Sequence, residues 1–287
     1  MAVSIAHLGP AGTYSEAAAL RWAEWWQHHT GEAAQLAPLP SISKALQAAT
    51  TGQALLAVVP VENSIEGSVA ITLDTLWRLD DLRIQQALIL PISHALLSCA
   101  PTTATLQTIY SHPQALAQCQ GWLERHAPHA RLVATQSTTE ALQQLEAEPT
   151  VGAIASQRAA QLYRLPVLAY PINDQPDNCT RFWVVSAAEL TLPPSGTHRY
   201  ASLAFSLPQN VPGALVKPLQ IFAQRNINLS RIESRPTKRS LGEYLFFIDI
   251  EANLESAGVQ SALAELRDCT ETLKIFGSYA IQAMPMG

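Results

Sequence analysis

The sequence predicts a two-domain α/β protein. A two-lobed, doubly wound unit over residues 1–187 is followed by a linker at 188–198 and a smaller ferredoxin-like unit over 199–287. Three observations carry this expectation. Residues 1–187 alternate short apolar runs with amphipathic stretches, the pattern of strand–helix repeats around a mainly parallel sheet. The chain changes character around 75–100 and returns to a strongly strand-forming run at 179–185, so a first lobe of about 1–80 plus 168–187 and a second of 81–167 are expected, with a cleft between them. Beyond the Pro-, Gly- and Ser-containing stretch Glu189–His198, the elements follow the order βαββαβ.

Composition narrows the function. The chain has 287 residues, 48% hydrophobic and 14% charged, which suits a packed, ordered protein. A formal net charge of −5 argues against nucleic acid as the main partner, because phosphate binding needs clustered Lys and Arg. No run of about 18 apolar residues suggests a membrane span, and MAVSIAHLG has no basic region ahead of its strand pattern, so the cytoplasm is the expected compartment. The four cysteines, Cys99, Cys119, Cys179 and Cys269, have no metal-ligand or disulfide spacing. No cofactor or metal is expected.

Taken in order, Val3–Leu8 reads as a strand. GPAGTYSE follows, where Thr13 or Ser15 caps a helix with Glu16 in its first turn, leaving amides suited to an anion. A short strand at Leu36–Leu39 and a helix at Ile42–Ala49 lead to the continuous apolar run Ala54–Val59, suited to a central strand. It feeds a second polar junction, Glu62-Asn63-Ser64 through Gly67 and Ser68, and a helix at Val69–Leu79. Leu82–Leu97 carries two strands around Pro91. After a strand at Thr108–Tyr110, His112, Gln114 and Gln118 form a third polar junction on a helix expected to run over 113–126. A strand at 131–135, a helix at 138–147 capped by Ser137, a strand at 151–155, a helix at 157–163 and a strand at Val167–Ala169 complete the alternation. In the second domain the expected elements are strand Tyr200–Leu207, helix Leu215–Asn226, strands Ile227–Ser234 and Tyr244–Ile250, helix Ser256–Cys269 and strand Thr272–Ile281.

The stretch Asp177–Val185, DNCTRFWVV, joins a polar cluster to a strand. Arg181 is a planar cation fit to hold a carboxylate, and Asn178 and Thr180 offer hydrogen bonds. Alternation along a regular strand sends Thr180 and Arg181 to opposite faces, so both cannot enter one cleft unless the strand starts after 181. Asn178 shares the face of Thr180.

Together, GPAGTYSE (9–16), VPVENSIEGSV (59–69), SHPQALAQC (111–119), AIASQRAA (153–160), CTRFWVV (179–185), NVPGAL (210–215) and NLSRIESRP (228–236) resemble the monofunctional prephenate dehydratases that carry a C-terminal ACT regulatory domain. The resemblance covers essentially the whole chain and implies a type II periplasmic-binding-protein-like catalytic domain. Departures from the family pattern are small: Tyr14 stands where Phe is common, and Asp177 where Asn is common. It also implies conversion of prephenate to phenylpyruvate with loss of water and carbon dioxide, without cofactor or metal, in phenylalanine biosynthesis. The family's catalytic Thr corresponds to Thr180, followed by Arg181 and Phe182; its Glu-Asn-Ser turn to Glu62, Asn63 and Ser64; its His and Gln positions to His112, Gln114 and Gln118. Glu62 and His112 are rival proton donors to Thr180, while Thr13, Asn63, Ser64, Gln114, Gln118, Asn178 and Phe182 are expected around the substrate. The two effector motifs correspond to Gly213, Ala214 and Leu215 and to Glu233, Ser234, Arg235 and Pro236. They imply phenylalanine as effector and a homodimer or homotetramer, since such sites lie where two ACT domains meet. Arogenate dehydratase, and a non-catalytic amino-acid sensor, are the alternative readings.

Overall fold

A computed structural model describes residues 3–145, 148–193 and 199–284; the end of the linker expected at 188–198, the last two residues of the helix expected at 138–147 and the last three residues of the second domain lie outside them. The element order is β1 (Val3–Leu8), α1 (Tyr14–Thr30), β2 (Ala34–Leu39), α2 (Ile42–Thr50), β3 (Leu56–Asn63), β4 (Gly67–Ser68), α3 (Ala70–Arg78), β5 (Arg83–Pro91) and β6 (His94–Leu97). Then come β7 (Thr108–Ser111), α4 (Pro113–Gln118), α5 (Gln120–His126), β8 (Arg131–Ala134), β9 (Val151–Ser156), α6 (Gln157–Tyr163), β10 (Val167–Ala169) and β11 (Cys179–Ser186). The second domain holds β12 (Arg199–Ser206), α7 (Val216–Ala223), β13 (Leu229–Pro236), β14 (Tyr244–Ile250), α8 (Ala257–Cys269) and β15 (Thr272–Ala283).

The first lobe is built on β2-β1-β3-β11-β5, in which β1, β2 and β3 are parallel and β11 runs antiparallel between β3 and β5. The second lobe is the five-stranded sheet β10-β6-β9-β7-β8. Two segments, at 92–93 and 170–178, connect them, so the chain crosses between the lobes twice. The expected lobe limits therefore need correction. β5 stays in the first-lobe sheet because its apolar residues Ile84, Ala87, Leu88 and Leu90 pack into the two cores on that sheet's faces, and β10 belongs to the second lobe through its pairing with β6.

The helix expected over 113–126 is broken at Cys119, whose backbone leaves helical geometry (φ −119°, ψ 10°). The cause is remote: the Asp174 carboxylate accepts from the amides of Gly121 and Trp122, both at 2.8 Å, and so starts α5 as a separate helix. At 140–145 the expected α-helix is a 3₁₀ turn, capped at 3.0 Å by the Ser137 hydroxyl.

The second domain has strand order β13-β14-β12-β15, with α7 and α8 covering one face through Phe205, Phe222, Ile248, Val259 and Leu266. Its other face contributes Ala204, Leu245, Phe247, Phe276 and Tyr279 to the core beneath α2 and α3 of the first lobe. β15 continues past β12 to pair in parallel with β5, Ala280 opposite Gln86 through Ala283 opposite Ile89, so both domains share one ten-stranded sheet. Gly277 makes this junction: at φ +126° an added Cβ would stand 2.9 Å from the Ile84 carbonyl oxygen.

Candidate active site in the interlobe cleft

The cleft between the lobes is a cavity of about 660 Å³. From the first lobe it receives Thr13 and Tyr14 at the start of α1, Asn63 at the end of β3, and Thr180 and Phe182 on β11; from the second it receives His112, Gln114 and Gln118 on α4 and the segment Gln136–Thr138 with Glu140. Its wall includes no Lys or Arg among the described residues.

Local sequence explains these positions. Thr13 caps α1, accepting from the Glu16 amide at 3.3 Å, while the Glu16 carboxylate accepts from the Gly12 amide at 2.7 Å and from Arg158 at 3.1 Å. His112 caps α4: its Nδ1 accepts from the Gln114 amide at 3.3 Å, so the ring hydrogen sits on Nε2. Asn63 ends β3 in a hairpin with β4, and its Oδ1 accepts from the amides of Ile65 (3.0 Å) and Glu66 (3.1 Å).

Those two amides set the direction of a buried polar chain. With its oxygen engaged, the Asn63 Nδ2 group must donate, and it does so to Asn178 Oδ1 at 2.8 Å and Thr180 Oγ1 at 3.0 Å. Asn178 then has only its Nδ2 left to donate, to Gln118 Oε1 at 3.0 Å. That oxygen also receives His94 Nε2 at 2.9 Å. Along this chain the groups that line the cleft and keep hydrogens accepted by no described residue are the hydroxyl of Thr180 and the Nε2 group of Gln118. A polarity fixed by backbone thus presents two donors to whatever occupies the cavity.

Several expected site residues lie elsewhere. Thr180 pairs across from Asn63, and Arg181 from Glu62, so alternation turns the second pair to the opposite face of the sheet. There Arg181 donates to Glu62 at 2.5 Å and meets Asp249 of β14 at 2.9 Å. The expectation that Arg181 grips a substrate carboxylate, and that Glu62 acts in the cleft, is corrected on this ground. Ser64 is also outside the wall: it donates to Asn178 Oδ1 at 3.3 Å and accepts from the Cys179 amide at 3.0 Å, bracing the turn. Asn178 itself is buried behind Thr180 and Gln118. Residues that sequence reasoning missed are His94, Tyr14 and the 136–140 segment. Only Ser137, readable as a cap, carried a signal.

The ion pairs behind the cleft join the two domains. Asp249, fully buried, accepts from Arg231 Nε at 2.8 Å and Ser202 Oγ at 2.6 Å, besides Arg181. Burial pushes its carboxyl up, but the charge and hydrogen bonds of Arg231, with Arg181 and Ser202, outweigh that and hold it below the usual carboxylate range. Glu233 accepts from Ser68 at 3.2 Å, and Arg235 donates to Asp74 of α3 at 3.1 and 3.2 Å, so both are turned toward the first domain, while Ser234 and Pro236 are exposed. Glu233, expected in an effector motif, therefore has one carboxylate oxygen engaged by Ser68. Gly213, at φ +80°, stands before α7 with open space at its Cβ position, and no hydrogen bond among the described residues joins Gly213–Leu215 to Glu233–Pro236.

Fold and cleft define a two-lobed α/β protein with an interlobe pocket that holds no Lys or Arg among the described residues and a ferredoxin-like module fused to one lobe. Residues 5–190 match the model of the family described as prephenate dehydratase, and residues 201–268 that of the ACT domain. The prephenate dehydratase of Lactococcus lactis subsp. cremoris is 33% identical over 285 residues, spanning 98% of this chain and 99% of its own. The bifunctional chorismate mutase/prephenate dehydratase of Aquifex aeolicus is 38% identical over 277 residues, 96% of this chain and 73% of its own. The crystal structure of prephenate dehydratase from Arthrobacter aurescens in complex with L-Phe superposes with a TM-score of 0.85 at 36% identity, covering 97% of this chain and 90% of that one. The chain belongs to the prephenate dehydratase family and carries the ACT domain.

Proposed function

We propose that the interlobe cleft converts prephenate to phenylpyruvate, with Thr180 at the departing ring oxygen. As the carbon dioxide leaves, the electron pair of the broken C–C bond enters the ring and expels hydroxide from the opposite carbon; the hydroxide takes up one proton, ultimately from solvent, so the products are carbon dioxide, water and phenylpyruvate. The reaction needs a hydrogen-bond donor at the hydroxide and no strong base. The observation that supports this role is the direction of the buried chain: Thr180 Oγ1 accepts from Asn63, which leaves its own hydrogen to donate into the cleft. Donation at a leaving group contributes about 10²–10⁴-fold. The absence of Lys and Arg from the described wall suits the decarboxylation, because a strong counter-ion on the departing carboxylate stabilises the ground state more than the transition state.

Thr13, Asn63, Gln114, Gln118 and Phe182 surround the substrate in this reading, and His112 Nε2–H is a second donor. Ser64 and Asn178 support from behind. The ACT domain is the sensor for phenylalanine, acting in a homodimer or homotetramer that brings Gly213–Leu215 of one copy near Ser234 and Pro236 of another. Glu233 and Arg235 report the event to the catalytic domain through Ser68 and Asp74. Among the described residues no helix is long and apolar enough to cross a membrane, and a cytoplasmic location is proposed with the activity. Incubating the purified protein with prephenate, and separately with arogenate, tests the reading. Phenylpyruvate formed with the higher kcat/KM supports it; phenylalanine from arogenate with the higher kcat/KM, or no turnover of either, rejects it.

A further inference from the structure

The cleft is asked to hold a dianion, yet its described wall carries no Lys or Arg. The nearest candidates in sequence are engaged elsewhere, Arg181 by Glu62 and Asp249 and Arg158 by Glu16. One buried group in the wall is able to become cationic without moving. His94 opens β6 at the first crossing between the lobes, 3% exposed. Its ring reaches α1 of the first lobe through Tyr14 and α4 of the second through Gln118.

The hydrogens around this ring are countable. Gln118 Oε1 is an acceptor, because Asn178 donates to it, so His94 Nε2 carries a hydrogen. On the other side the Tyr14 hydroxyl lies 2.7 Å from the Ser93 carbonyl and 3.1 Å from His94 Nδ1. With the ring neutral, its single hydrogen serves one of these two acceptors and leaves the other unpaired; the imidazolium, donating from Nδ1 while Tyr14 donates to Ser93, satisfies both.

We propose that His94 is the cation of the cleft, taking up a proton as the dianionic substrate binds and passing its charge through the Gln118 amide to the carboxylate that the substrate keeps, while the Tyr14 oxygen accepts the second ring hydrogen. This rests on the proposed reaction for the identity of the dianion. In the empty cleft burial holds the ring below its ordinary value, against the hydrogen bond to Gln118. No carboxylate opposes it there. The groups packed around it are Tyr14 from α1, Gln118 from α4, Ser156 from β9 opposite it in the sheet, and Ser93 and Asn173 from the two crossings. The titratable ones nearby stay neutral: burial raises the Tyr14 hydroxyl and pushes the Cys119 thiol up to about 12. Across the cleft stand His112, its Nδ1 tied to an amide, and Glu140, its carboxylate held by the Gln136 amide at 2.6 Å. The counter-charge is what the substrate brings. A carboxylate about 6 Å away at an effective dielectric of about 20 raises the ring by about two pH units.

The test is the pH dependence of prephenate turnover between pH 5.5 and 8.5 in the intact protein, His94→Gln and His112→Gln. In the unsubstituted protein kcat/KM is expected to fall by about tenfold or more between pH 6 and 8, while kcat stays level over most of that range because the bound dianion retains the proton. His94→Gln, which keeps a donor for Gln118, is expected to turn over with a flat kcat/KM; His112→Gln keeps the fall. A flat profile in the unsubstituted protein, or a fall that survives in His94→Gln, overturns the proposal while leaving the reaction itself established. Should His94→Gln not fold, ¹⁵N-histidine spectra of the unsubstituted protein at pH 7 decide: added phenylpyruvate is expected to move one buried ring to imidazolium shifts, and no change in any ring refutes the idea.

Discussion

Replacing Asp249 by Asn removes one charge from the junction between the domains and keeps the shape. In the folded protein that carboxylate faces Arg231 at 2.8 Å and Arg181 at 2.9 Å, with no exposure to solvent. After the change Arg181 retains Glu62, but Arg231 keeps only the Ser68 hydroxyl at 3.3 Å as a described polar partner besides the new amide. Breaking a buried pair by removing one partner costs about 3–5 kcal/mol, and retention of an acceptor oxygen by Asn places this case near the lower figure. With a urea slope of about 2–3 kcal/mol per M, the transition that undocks the second domain should move down by about 1 M. The pH dependence follows from the lowered carboxyl of Asp249. Its folded value lies below the unfolded one, so its contribution is complete above the unfolded value near pH 4 and is lost as pH falls through the folded value. The midpoint difference between the two proteins should be constant from about pH 5 to 8 and close below about pH 4. Equal midpoints at pH 7, or a gap that widens in acid, would refute the reasoning.

Other perturbations separate the parts of the account. Gly277→Ala forces a Cβ against the Ile84 carbonyl at φ +126° and should cost about 1–3 kcal/mol, read as increased protease cleavage between the domains. Asp174→Ala removes the remote cap from α5 and should lower stability by about 1 kcal/mol, measured as a lower thermal midpoint; an unchanged midpoint would mean Gly121 and Trp122 find other acceptors. Asp74→Asn weakens its pairs with Arg235 and Lys238, and the phenylalanine concentration giving half-maximal inhibition should shift severalfold; an identical inhibition curve would remove Asp74 from the path between the domains.

How far the sequence could be read depended on range. The βα alternation and the βαββαβ order are local patterns of apolar spacing, and both are visible without a structure. So was the conflict at Thr180 and Arg181, because alternation along a strand is a property of neighbours. Its outcome was not visible: Arg181 finds Asp249, and Glu62 follows it, through contacts with a different domain. The same holds for Cys119, where a continuous helical pattern is cut by a carboxylate from the second crossing. His94 sits in ISHALL, indistinguishable from any half-polar strand start. Its importance arises only where Tyr14 and Gln118 close on it from two lobes.

The claim on which the rest depends is that the Thr180 hydroxyl donates to the departing ring oxygen. Steady-state kcat for prephenate in Thr180→Val and Thr180→Ser measures it directly. The account expects Val, which fills the same space without a hydrogen to donate, to lose about 10²–10⁴-fold while Ser retains most of the rate. Full turnover by Thr180→Val would contradict it.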